Sequence, residues 1–575
     1  MDPWRIFKKQ AIDLTLNAIS KLDLDYEITI KNLKECINYP AKATHGDLSL
    51  VLYELSKKIN LDPEEFAKKI ETHIAVKGYI SHVKASRGYL NFYLKWDTFT
   101  RDVLKEAVKP SYGRSDLGHG KLVIIDYSSP NIAKPFLLHH LRSTVIGDSL
   151  YRIHKWLGYH CIGDNHIGDW GAGFGALLAA YKLWGSKEKI ELNPIEELYN
   201  LYVRFHRESK GNPKLQEMAR KWAKKLEDGD PEAVNLWKWF RNESLKEFQK
   251  VYSMLGVKFD LILGESFYVK LAKEVVKEAL SKGVAVRESD GSVVVKLEEY
   301  GLPNFLIQKK DGTTLYSTRD LATAIYRYNE YNFDKCLYVV AREQKTYFKQ
   351  LFKTLQLLGY DWFHKCEHVS FGLLMYKGKK MGTRTGSGVK LNEIIKELRE
   401  KANNIMKDRE GQFTREEKDK IVQAISVGAL KFSQLKASRE DDITFDKDMI
   451  LELTGDTAPY IQYAHARCCS ILRKAGKHGT GDPSLLIKPV ERQIIKLMSQ
   501  FPEIIEKTIN TMETHYIPRY LLKLTSTFSS FYSDTPVLNA KPVPLRDARL
   551  SLISCVKNVL KIGLWLLGIE APEKI

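Results

Sequence analysis

The chain has 575 residues, of which 44% are hydrophobic and 28% are charged. This length leaves room for about three or four domains, and 23 Phe, 29 Tyr and 10 Trp are typical of a folded protein rather than a disordered one. Lys and Arg total 89 while Asp and Glu total 71, so the formal net charge is +18. Such an excess favours a polyanionic partner, with nucleic acid as the first candidate and an anionic membrane surface as the second.

The N-terminal segment and the cysteines exclude further classes of protein. Residues 1–9 lack the apolar core of a secretory signal, so no secretion is expected. The longest apolar run near the end, 562–569, is too short for a membrane span, which needs about 20 helical residues. The seven cysteines are scattered without a CxxC pair and indicate neither a disulfide framework nor a zinc site. We expect a soluble protein in a reducing compartment.

The first part of the chain has the pattern of helices with a pair of strands. Residues 12–22 have helical spacing, 60–65 resemble a helix N-cap with an acidic first turn, and 88–94 alternate as a strand does. The stretch 109–120 is rich in Gly, Ser and charged residues, which is typical of a linker. The sequence therefore predicts a first domain at 1–112.

From Lys121 the pattern changes to strands that alternate with helices. Residues 121–127 form a continuous apolar run that ends in turn residues, as in a strand buried on both faces of a parallel sheet. The alternation predicts an α/β fold with a doubly wound sheet. The further segments that support it are a helical pattern at 136–156, β-runs at 292–297, 305–308 and 335–341, and a helical pattern at 345–358.

Two regions beyond this alternation are helical. Residues 194 to 257 are charged, which suggests an insertion on the sheet domain, and the chain from Thr414 onward is almost wholly helical. No repeat of fixed period is present. We assign a second domain to 113–410, with the helical insertion at about 190–260, and a third to 411–575.

Residues 126–144 carry the first chemical signal. A buried strand delivers an acid, small polar residues and a lysine to a helix N-terminus, where backbone N–H groups and the helix dipole favour a phosphate. This placement predicts a nucleotide site. The GxGxxG and GxxxxGK[ST] patterns are missing, so dinucleotide and P-loop interpretations lose support. An ordinary strand-to-helix turn with a surface His pair is the alternative for this segment alone.

Five blocks stand in order along the chain, namely SSPNIAKPFLLHHLRST at 128–144, DNHIGDWG at 164–171, DGTTLYSTRD at 311–320, KMGTRTG at 380–386 and GDTAPYIQYAHAR at 455–467. They resemble blocks of the class I arginyl-tRNA synthetases, and the first and fourth correspond to that family's HIGH and KMSKS signatures. Residues 44–49 and 566–569 resemble its first domain and its closing helix. The resemblance thus covers essentially the whole chain.

The resemblance implies a fold and an activity. The fold is a Rossmann-like class I synthetase core with an N-terminal α+β domain that binds the tRNA elbow and an all-α C-terminal domain that binds the anticodon. The activity is activation of arginine with ATP and Mg²⁺ and transfer of arginine to the terminal adenosine of tRNA(Arg). The implied protein is a cytoplasmic monomer with no structural metal and no membrane partner, and a mitochondrial location stays open.

The resemblance also assigns residues to arginine. Asp126 and Asp320 are the two acids expected to face the guanidinium, because paired carboxylates suit a planar cation that stays protonated. Tyr316, one helical turn before Asp320, is expected along the guanidinium plane. A pair on a helix surface is the alternative for Tyr316 and Asp320. The remaining arginine-binding candidates are Ser129, Asn131 and Gln344.

On the ATP side the sequence departs from the family pattern. Leu137 replaces the first His of the HIGH tetrad, His139 its Gly, Gly382 the Ser of the second loop, and Thr385 a Lys. Losing a phosphate-facing cation weakens electrostatic stabilisation of phosphoryl chemistry. The matching positions give the catalytic candidates Lys134, His140, Lys380 and Arg384 and the ATP-binding candidates His139, His140, His166, Gly168, Asp169, Lys380 and Met381.

The block at 455–467 continues as a helix with interleaved aromatic and basic residues, which suits stacking of unpaired bases and contact with phosphates. A helix in the core of a bundle is the alternative. The tRNA-binding candidates are Tyr460, Gln462, Tyr463, His465 and Arg467.

Three hypotheses remain on the sequence alone. The first is an arginine–tRNA ligase whose ATP pocket has drifted. The second is a catalytically impaired paralogue that binds arginine or tRNA without activating the amino acid. The third, a nucleotidyltransferase of the same superfold that acts on a small molecule, is opposed by the long basic helical C-terminus.

Overall fold

The structure is a computed structural model that describes residues 2–24, 26–40, 42–376, 379–380, 389–407 and 413–575. No helix within these ranges is long and apolar enough to cross a membrane. Several candidates fall elsewhere: Met381, Gly382, Arg384 and Thr385 lie outside the described residues, and only the backbone of Lys380 is described.

The N-terminal part of the chain is an antiparallel sheet with helices packed on it. Its elements are α1 (Pro3–Ile19), α2 (Ile30–Glu35), β1 (Ile37–Asn38), β2 (Leu48–Val51), α3 (Tyr53–Lys58), α4 (Pro63–His73), β3 (Ile80–Ser86), β4 (Tyr89–Leu94) and α5 (Trp96–Ala107). The sheet order is β1-β2-β4-β3. The predicted N-cap is confirmed, because the Asp62 carboxylate accepts hydrogen bonds from the backbone N–H groups of Glu64 and Glu65 at the start of α4.

The middle part of the chain contains most of the α/β elements. In chain order they are β5 (Leu122–Asp126), α6 (His140–Trp156), β6 (His160–Asp164), α7 (Ala172–Trp184), α8 (Lys187–Leu192), α9 (Pro194–Glu208), α10 (Pro213–Glu227), α11 (Pro231–Leu255), α12 (Val269–Ser281), β7 (Ala285–Arg287), β8 (Val293–Val295), β9 (Phe305–Gln308), α13 (Tyr316–Tyr331), β10 (Lys335–Ala341), α14 (Lys345–Leu357), β11 (Cys366–Phe371), β12 (Leu374–Tyr376), β13 (Lys379–Lys380) and α15 (Leu391–Ile405).

A parallel sheet of order β11-β10-β5-β6 forms the centre of this region. Val123, Ile124 and Ile125 in β5 are at most 1% exposed, because helices cover both faces of the sheet. In register, Asp126 lies between Tyr338 of β10 and Asp164 of β6. The carboxyl ends of β5 and β6 therefore bring two acids side by side.

The β-runs at 292–297 and 305–308 do not join this parallel sheet, contrary to the prediction. They form β8 and β9, which pair antiparallel with each other in a separate three-stranded sheet of order β7-β8-β9. The physical reason is the length of the connection. Parallel neighbours need a crossover of about a dozen residues or more, and the segment between β8 and β9 is shorter.

The C-terminal part of the chain is helical. Its elements are α16 (Arg415–Leu435), β14 (Ile443–Phe445), α17 (Ala458–Ala475), α18 (Pro489–Thr511), α19 (Tyr516–Asp534) and α20 (Val543–Leu566). Helices α18 and α20 pack against α5, and α16 packs against α6. The Tyr112 hydroxyl donates to the Met498 carbonyl oxygen at 2.8 Å, and Lys496 Nζ lies 3.2 Å from Asp47 Oδ1. The first and last parts of the chain are thus joined through buried contacts.

Candidate active site

Two buried acids at the carboxyl edge of the sheet share one internal guanidinium. Arg327 of α13 places one terminal nitrogen 2.7 Å from Asp126 Oδ2 and 2.7 Å from Asp164 Oδ2. Its side chain is 0% exposed, and a buried charge of this kind is retained only when it is paired. Ser129 donates its hydroxyl to Asp126 Oδ1 at 2.9 Å. Asp126 therefore contacts a guanidinium of the protein itself, which sequence reasoning did not foresee.

The second predicted acid, Asp320, lies one turn into α13 and is partly accessible to solvent. Its side chain is 24% exposed. The Tyr347 hydroxyl donates to Asp320 Oδ2, and the rings of Tyr347 and Tyr316 are 5.3 Å apart. Tyr316, which begins α13, is 53% exposed. The structure thus places the accessible carboxylate of Asp320 close to the aromatic rings of Tyr316 and Tyr347.

His166 belongs to the same cluster. Its Nδ1 lies 3.1 Å from the Leu263 carbonyl oxygen, and its Nε2 lies 3.5 Å from Asp320 Oδ1. Although burial opposes the charged form, the contact with Asp320 and the nearby Asp126 carboxylate raise the pKa of His166 to about 9. The sequence assigned His166 to ATP, whereas its ring faces an acid of the arginine candidates.

Glu265 is a residue of this cluster that sequence reasoning missed. Its Oε2 lies 2.6 Å from a terminal nitrogen of Arg319, the residue before Asp320. Burial raises the pKa of Glu265, the adjacent Arg319 opposes this, and the Asp320 carboxylate adds to it. Glu265 stands in a single 3₁₀ turn outside the five blocks, so no periodicity marked it. Only the fold places it beside Asp320.

Asn131 and Gly168 hold the segment at 128–132 against the turn at 164–171. Gly168 N–H donates to the Pro130 carbonyl oxygen, and Ile132 N–H donates to the Gly168 carbonyl oxygen, each at 3.1 Å. A Cβ atom at position 168 would lie 2.1 Å from Asn131 Oδ1, so a side chain there would displace the Asn131 amide. Asn131 and Gln344, two of the arginine candidates, are both exposed.

Asp169 is used inside the protein. Its carboxylate accepts from Arg241 Nε at 2.8 Å, from the Ser266 backbone N–H at 2.8 Å and from the Ser266 hydroxyl at 2.9 Å. The residue is 0% exposed. These contacts correct the assignment of Asp169 to ATP, because a buried carboxylate with three internal donors does not face a nucleotide.

The two adjacent histidines lie at the start of α6. The Leu137 backbone N–H donates to His140 Nδ1 at 3.1 Å, which leaves the proton of the neutral ring on Nε2. Burial lowers the pKa of His140 well below its usual value, and the neighbouring His139 and Lys134 act in the same direction. His139 is the N-cap residue of α6, and its Nδ1 is buried without a hydrogen-bond partner among the described residues.

The described residues that follow the second signature in sequence contact the first signature segment. Leu138 N–H donates to the Val389 carbonyl oxygen at 2.9 Å, and Leu391 N–H donates to the Phe136 carbonyl oxygen at 3.0 Å. The chain after the loop is therefore paired with the segment that precedes α6. Lys134 lies nearby, with Nζ 4.8 Å from the centre of the Tyr202 ring.

Helix α17 divides the tRNA-binding candidates into two groups. Gln462 is buried and donates to the carbonyl oxygens of Ala424 and Glu570, and the buried His465 lies 2.9 Å from the Pro572 carbonyl oxygen. These contacts hold the C-terminal tail and correct the assignment of both side chains to tRNA. The candidates on the other face, Tyr460, Tyr463 and Arg467, are partly exposed.

Arg467 stands at the edge of a cavity. Its guanidinium lies 4.8 Å from the ring centres of both Tyr463 and Tyr532. The cavity has a volume of about 280 Å³ and is lined by Arg467, Ser470, Ile471, Lys474, Tyr532 and the loop 535–539. Cationic and aromatic groups of this kind suit the stacking of an unpaired base.

A parallel sheet with acids at its carboxyl edge, a first signature segment at a helix N-terminus that pairs with residues 389–391, and an attached helical domain are the features of a class I aminoacyl-tRNA synthetase. Residues 102–447 match the family described as tRNA synthetases class I (R), catalytic domain. Residues 9–94 match the arginyl tRNA synthetase N terminal domain, and 461–575 match the DALR anticodon binding domain. The chain belongs to the arginine–tRNA ligase family, which confirms the resemblance and the fold class inferred from the sequence.

Relatives align over nearly the full chain. The arginine–tRNA ligase of Alkaliphilus metalliredigens is 42% identical over 95% of this chain and 96% of its own length. That of Halothermothrix orenii is 40% identical over 99% of this chain and 100% of its own. Among solved structures, arginyl-tRNA synthetase of Plasmodium falciparum has a TM-score of 0.78 at 26% identity, with 99% of each chain covered. The Thermus thermophilus arginyl-tRNA synthetase shows the same fold, with a TM-score of 0.82 at 24% identity over 99% of this chain and 100% of that one.

Proposed function

We propose that this protein joins arginine to tRNA(Arg) through an arginyl-adenylate, with ATP and Mg²⁺ entering as substrates. The observation that carries the proposal is the accessible Asp320 carboxylate, which lies beside Tyr316 and Glu265 at the carboxyl edge of the parallel sheet. A cluster of acids next to an aromatic face suits a guanidinium, because its planar donors pair with carboxylates and its flat surface stacks on a ring. We further propose that the protein is a cytoplasmic monomer.

The arginine site is proposed to use three kinds of contact. Asp320 accepts from the guanidinium, and Tyr316 lies along its plane. Asn131 and Gln344, exposed on the neighbouring segments, hold the amino and carboxyl groups. Asp126 and Ser129 do not pair with the substrate directly in this proposal. Asp126 forms an ion pair with Arg327, and Ser129 donates a hydrogen bond to Asp126. In this arrangement Asp126 shapes the pocket while Asp320 provides the ionic contact.

The ATP site is proposed at the start of α6. His140 is neutral with its proton on Nε2, so it donates a hydrogen bond to a phosphate oxygen without a change of charge. The backbone N–H groups of the first turn of α6 and the Lys134 ammonium favour the same anion. Gly168 permits close approach of the backbone. Lys380, Met381 and Arg384 of the second signature are proposed to contribute as well, and residues 389–391, which follow it in sequence, pair with 136–138. Together these groups stabilise charge that develops on the α-phosphate.

The tRNA contacts are proposed on the exposed face of α17. Tyr460, Tyr463 and Arg467 face solvent there, and the cavity beside Arg467 has room for a base. The net charge of +18 supports binding of a polyanion.

An aminoacylation assay tests the proposal. The full chain is mixed with labelled arginine, ATP, Mg²⁺ and tRNA(Arg), and labelled tRNA is counted over time. We expect arginyl-tRNA from the parent and a large loss of rate for His140→Ala, while the exposed His119→Ala behaves as the parent. No product above background from a protein that still binds tRNA would instead support the paralogue that binds its ligands without activating arginine.

A further inference from the structure

We propose that His166 is a resident cation of the arginine pocket, and that binding of the substrate guanidinium at Asp320 drives release of its proton. This inference rests on the proposed arginine site and adds a regulation to it: the affinity for arginine is coupled to pH through one side chain.

The contacts of His166 favour a charged ring before substrate arrives. The partner of His166 Nδ1 is the Leu263 carbonyl oxygen, at 3.1 Å, which can only accept. Nε2 makes no hydrogen bond among the described residues, but it lies 3.5 Å from the Asp320 carboxylate, which when ionised can also only accept. A neutral imidazole has one proton and would point a lone pair at one of these two oxygens. A proton on Nε2 replaces this repulsion between the lone pair and the carboxylate by attraction, so the contact favours the imidazolium form.

The charged groups around His166 come from every element that packs against it. The acids are Asp126 at the end of β5, Asp164 at the end of β6, Glu265 in the turn before α12 and Asp320 in α13. Arg327 of α13 is bound by Asp126 and Asp164, and Arg319 is bound by Glu265. The ring centre of Tyr268 lies 5.5 Å from that of His166. Among these described groups, Asp320 is the acid whose ionic partner is His166 rather than an arginine.

A second cation at Asp320 competes with the His166 imidazolium for the same carboxylate. The guanidinium of arginine stays protonated at any accessible pH, so it would share one carboxylate with the imidazolium. Two like charges about 5 Å apart in a partly buried site weaken binding by roughly a hundredfold compared with the neutral ring. Arginine therefore binds more tightly to the form with neutral His166, and by linkage its binding lowers the pKa of His166 from about 9.

The sign of the pH dependence follows directly. Below pH 9 the pocket without substrate holds a charged His166, and arginine must displace the proton. As the pH rises toward 9, less of the protein carries that proton, so the dissociation constant for arginine falls. We expect a decrease of up to about a hundredfold between neutral pH and pH 9, followed by a plateau.

Isothermal titration calorimetry on the full chain tests the inference. Arginine is titrated at pH 7.5 in phosphate and in Tris, whose ionisation enthalpies differ, and the difference in heat gives the number of protons released. We expect a release that approaches one proton for the parent and for His73→Gln, an exposed control. We expect no release and a flat pH profile for His166→Gln, whose amide donates to Asp320 without titrating. The titration of the ligand's own amino group is common to all three proteins and cancels.

The outcomes separate this inference from the proposed function. Asp320→Asn should lose arginine binding; if it binds arginine as the parent does, both the arginine site and this inference are overturned. If Asp320→Asn loses binding but the parent releases no proton, this inference alone is wrong. An equal release from His166→Gln would overturn it as well. Should His166→Gln fail to fold, the parent measured in the two buffers still decides, since heat independent of buffer contradicts the proposal.

Discussion

The acids around the proposed arginine site differ in their ionic partners. Arg327 pairs with both Asp126 and Asp164, Arg319 pairs with Glu265, and Asp320, whose side chain is 24% exposed, is the most accessible of these four acids. Because buried carboxylates are costly without partners, the internal guanidinium groups make this concentration of acids possible. The Tyr347 hydroxyl donates to Asp320 and orients this carboxylate, the one that the proposed arginine site uses.

Replacing Asp320 with Asn should abolish arginine recognition. The guanidinium would lose its charged acceptor, which costs about 2 to 5 kcal/mol of binding free energy. Calorimetric titration of arginine measures the loss. Glu330→Gln, an exposed change of the same charge at the far end of α13, should bind as the parent does. Equal affinity for the two variants would show that another acid recognises the guanidinium.

A substitution at His139 shows whether its imidazole ring obstructs the binding of ATP. The ring stands at the N-cap of α6 with an unpaired, buried Nδ1, in the position where the family pattern has glycine. If it occupies the space of the adenine, a displacement of about 1 Å costs on the order of a hundredfold in rate. His139→Gly should therefore strengthen ATP binding, at a cost of only a few tenths of a kcal/mol in capping. Nucleotide titration and thermal melting measure the two effects, and a lower melting temperature without tighter binding of ATP would show a packing role instead.

At the scale of elements, α6 connects the active site to the helical domain. The buried Arg142 guanidinium donates to the carbonyl oxygens of Leu373, Ser438 and Arg439, which lie in two segments distant in sequence. Burial lowers the pKa of Arg142 to about 10, while Asp442 and Asp441 act against this. Glu513, between α18 and α19, accepts the backbone N–H of Arg439 at 3.1 Å. The loop around residue 439 therefore contacts both the signature helix and the helical domain.

Arg142→Met should destabilise the protein by about 2 to 5 kcal/mol, because it leaves buried carbonyl oxygens without donors. Arg142→Lys keeps the charge but has no fork of donors, so it should fall between the parent and the Met variant. The free energy of unfolding from urea titration checks this order. A Met variant as stable as the parent would mean that the carbonyl oxygens find other donors.

At the scale of the whole molecule, the N-terminal and C-terminal parts support each other. Helix α5 packs against α18 and α20, and Lys8 Nζ forms an ion pair with Glu503 at 2.6 Å. Deleting residues 451–575 would remove α18 and α20 and expose the buried face of α5. Point variants on the surface of α17 therefore give a cleaner test of tRNA binding than a truncation does.

The double variant Arg467→Gln, Lys474→Gln should weaken tRNA binding and flatten its dependence on salt. Each lost phosphate contact to a single strand reduces the log–log slope by about 0.7. The matched control Lys214→Gln, Lys221→Gln removes the same charge from α10, away from α17. Filter binding at several salt concentrations gives the slopes. Equal slopes for both double variants would place the RNA surface elsewhere.

The sequence by itself determined the family, the order of the secondary-structure classes and much of the site. Local signals were sufficient where the chemistry is local: the apolar run of β5, the cap at Asp62 and the four-residue spacing of Tyr316 and Asp320 appear as expected.

Only the tertiary structure decided which side chains are available to a ligand. Asp126, Asp169, Gln462 and His465 all carry suitable groups, yet each is engaged by a partner at least 38 positions away in sequence. Glu265 lies in a turn that has no hydrophobic periodicity, and it pairs with Arg319. His166, which the sequence assigned to ATP, lies next to Asp320. Hydrophobic spacing reports which face of an element is buried, but pairing between charges depends on which elements become neighbours, and that is set by the packing of the whole chain.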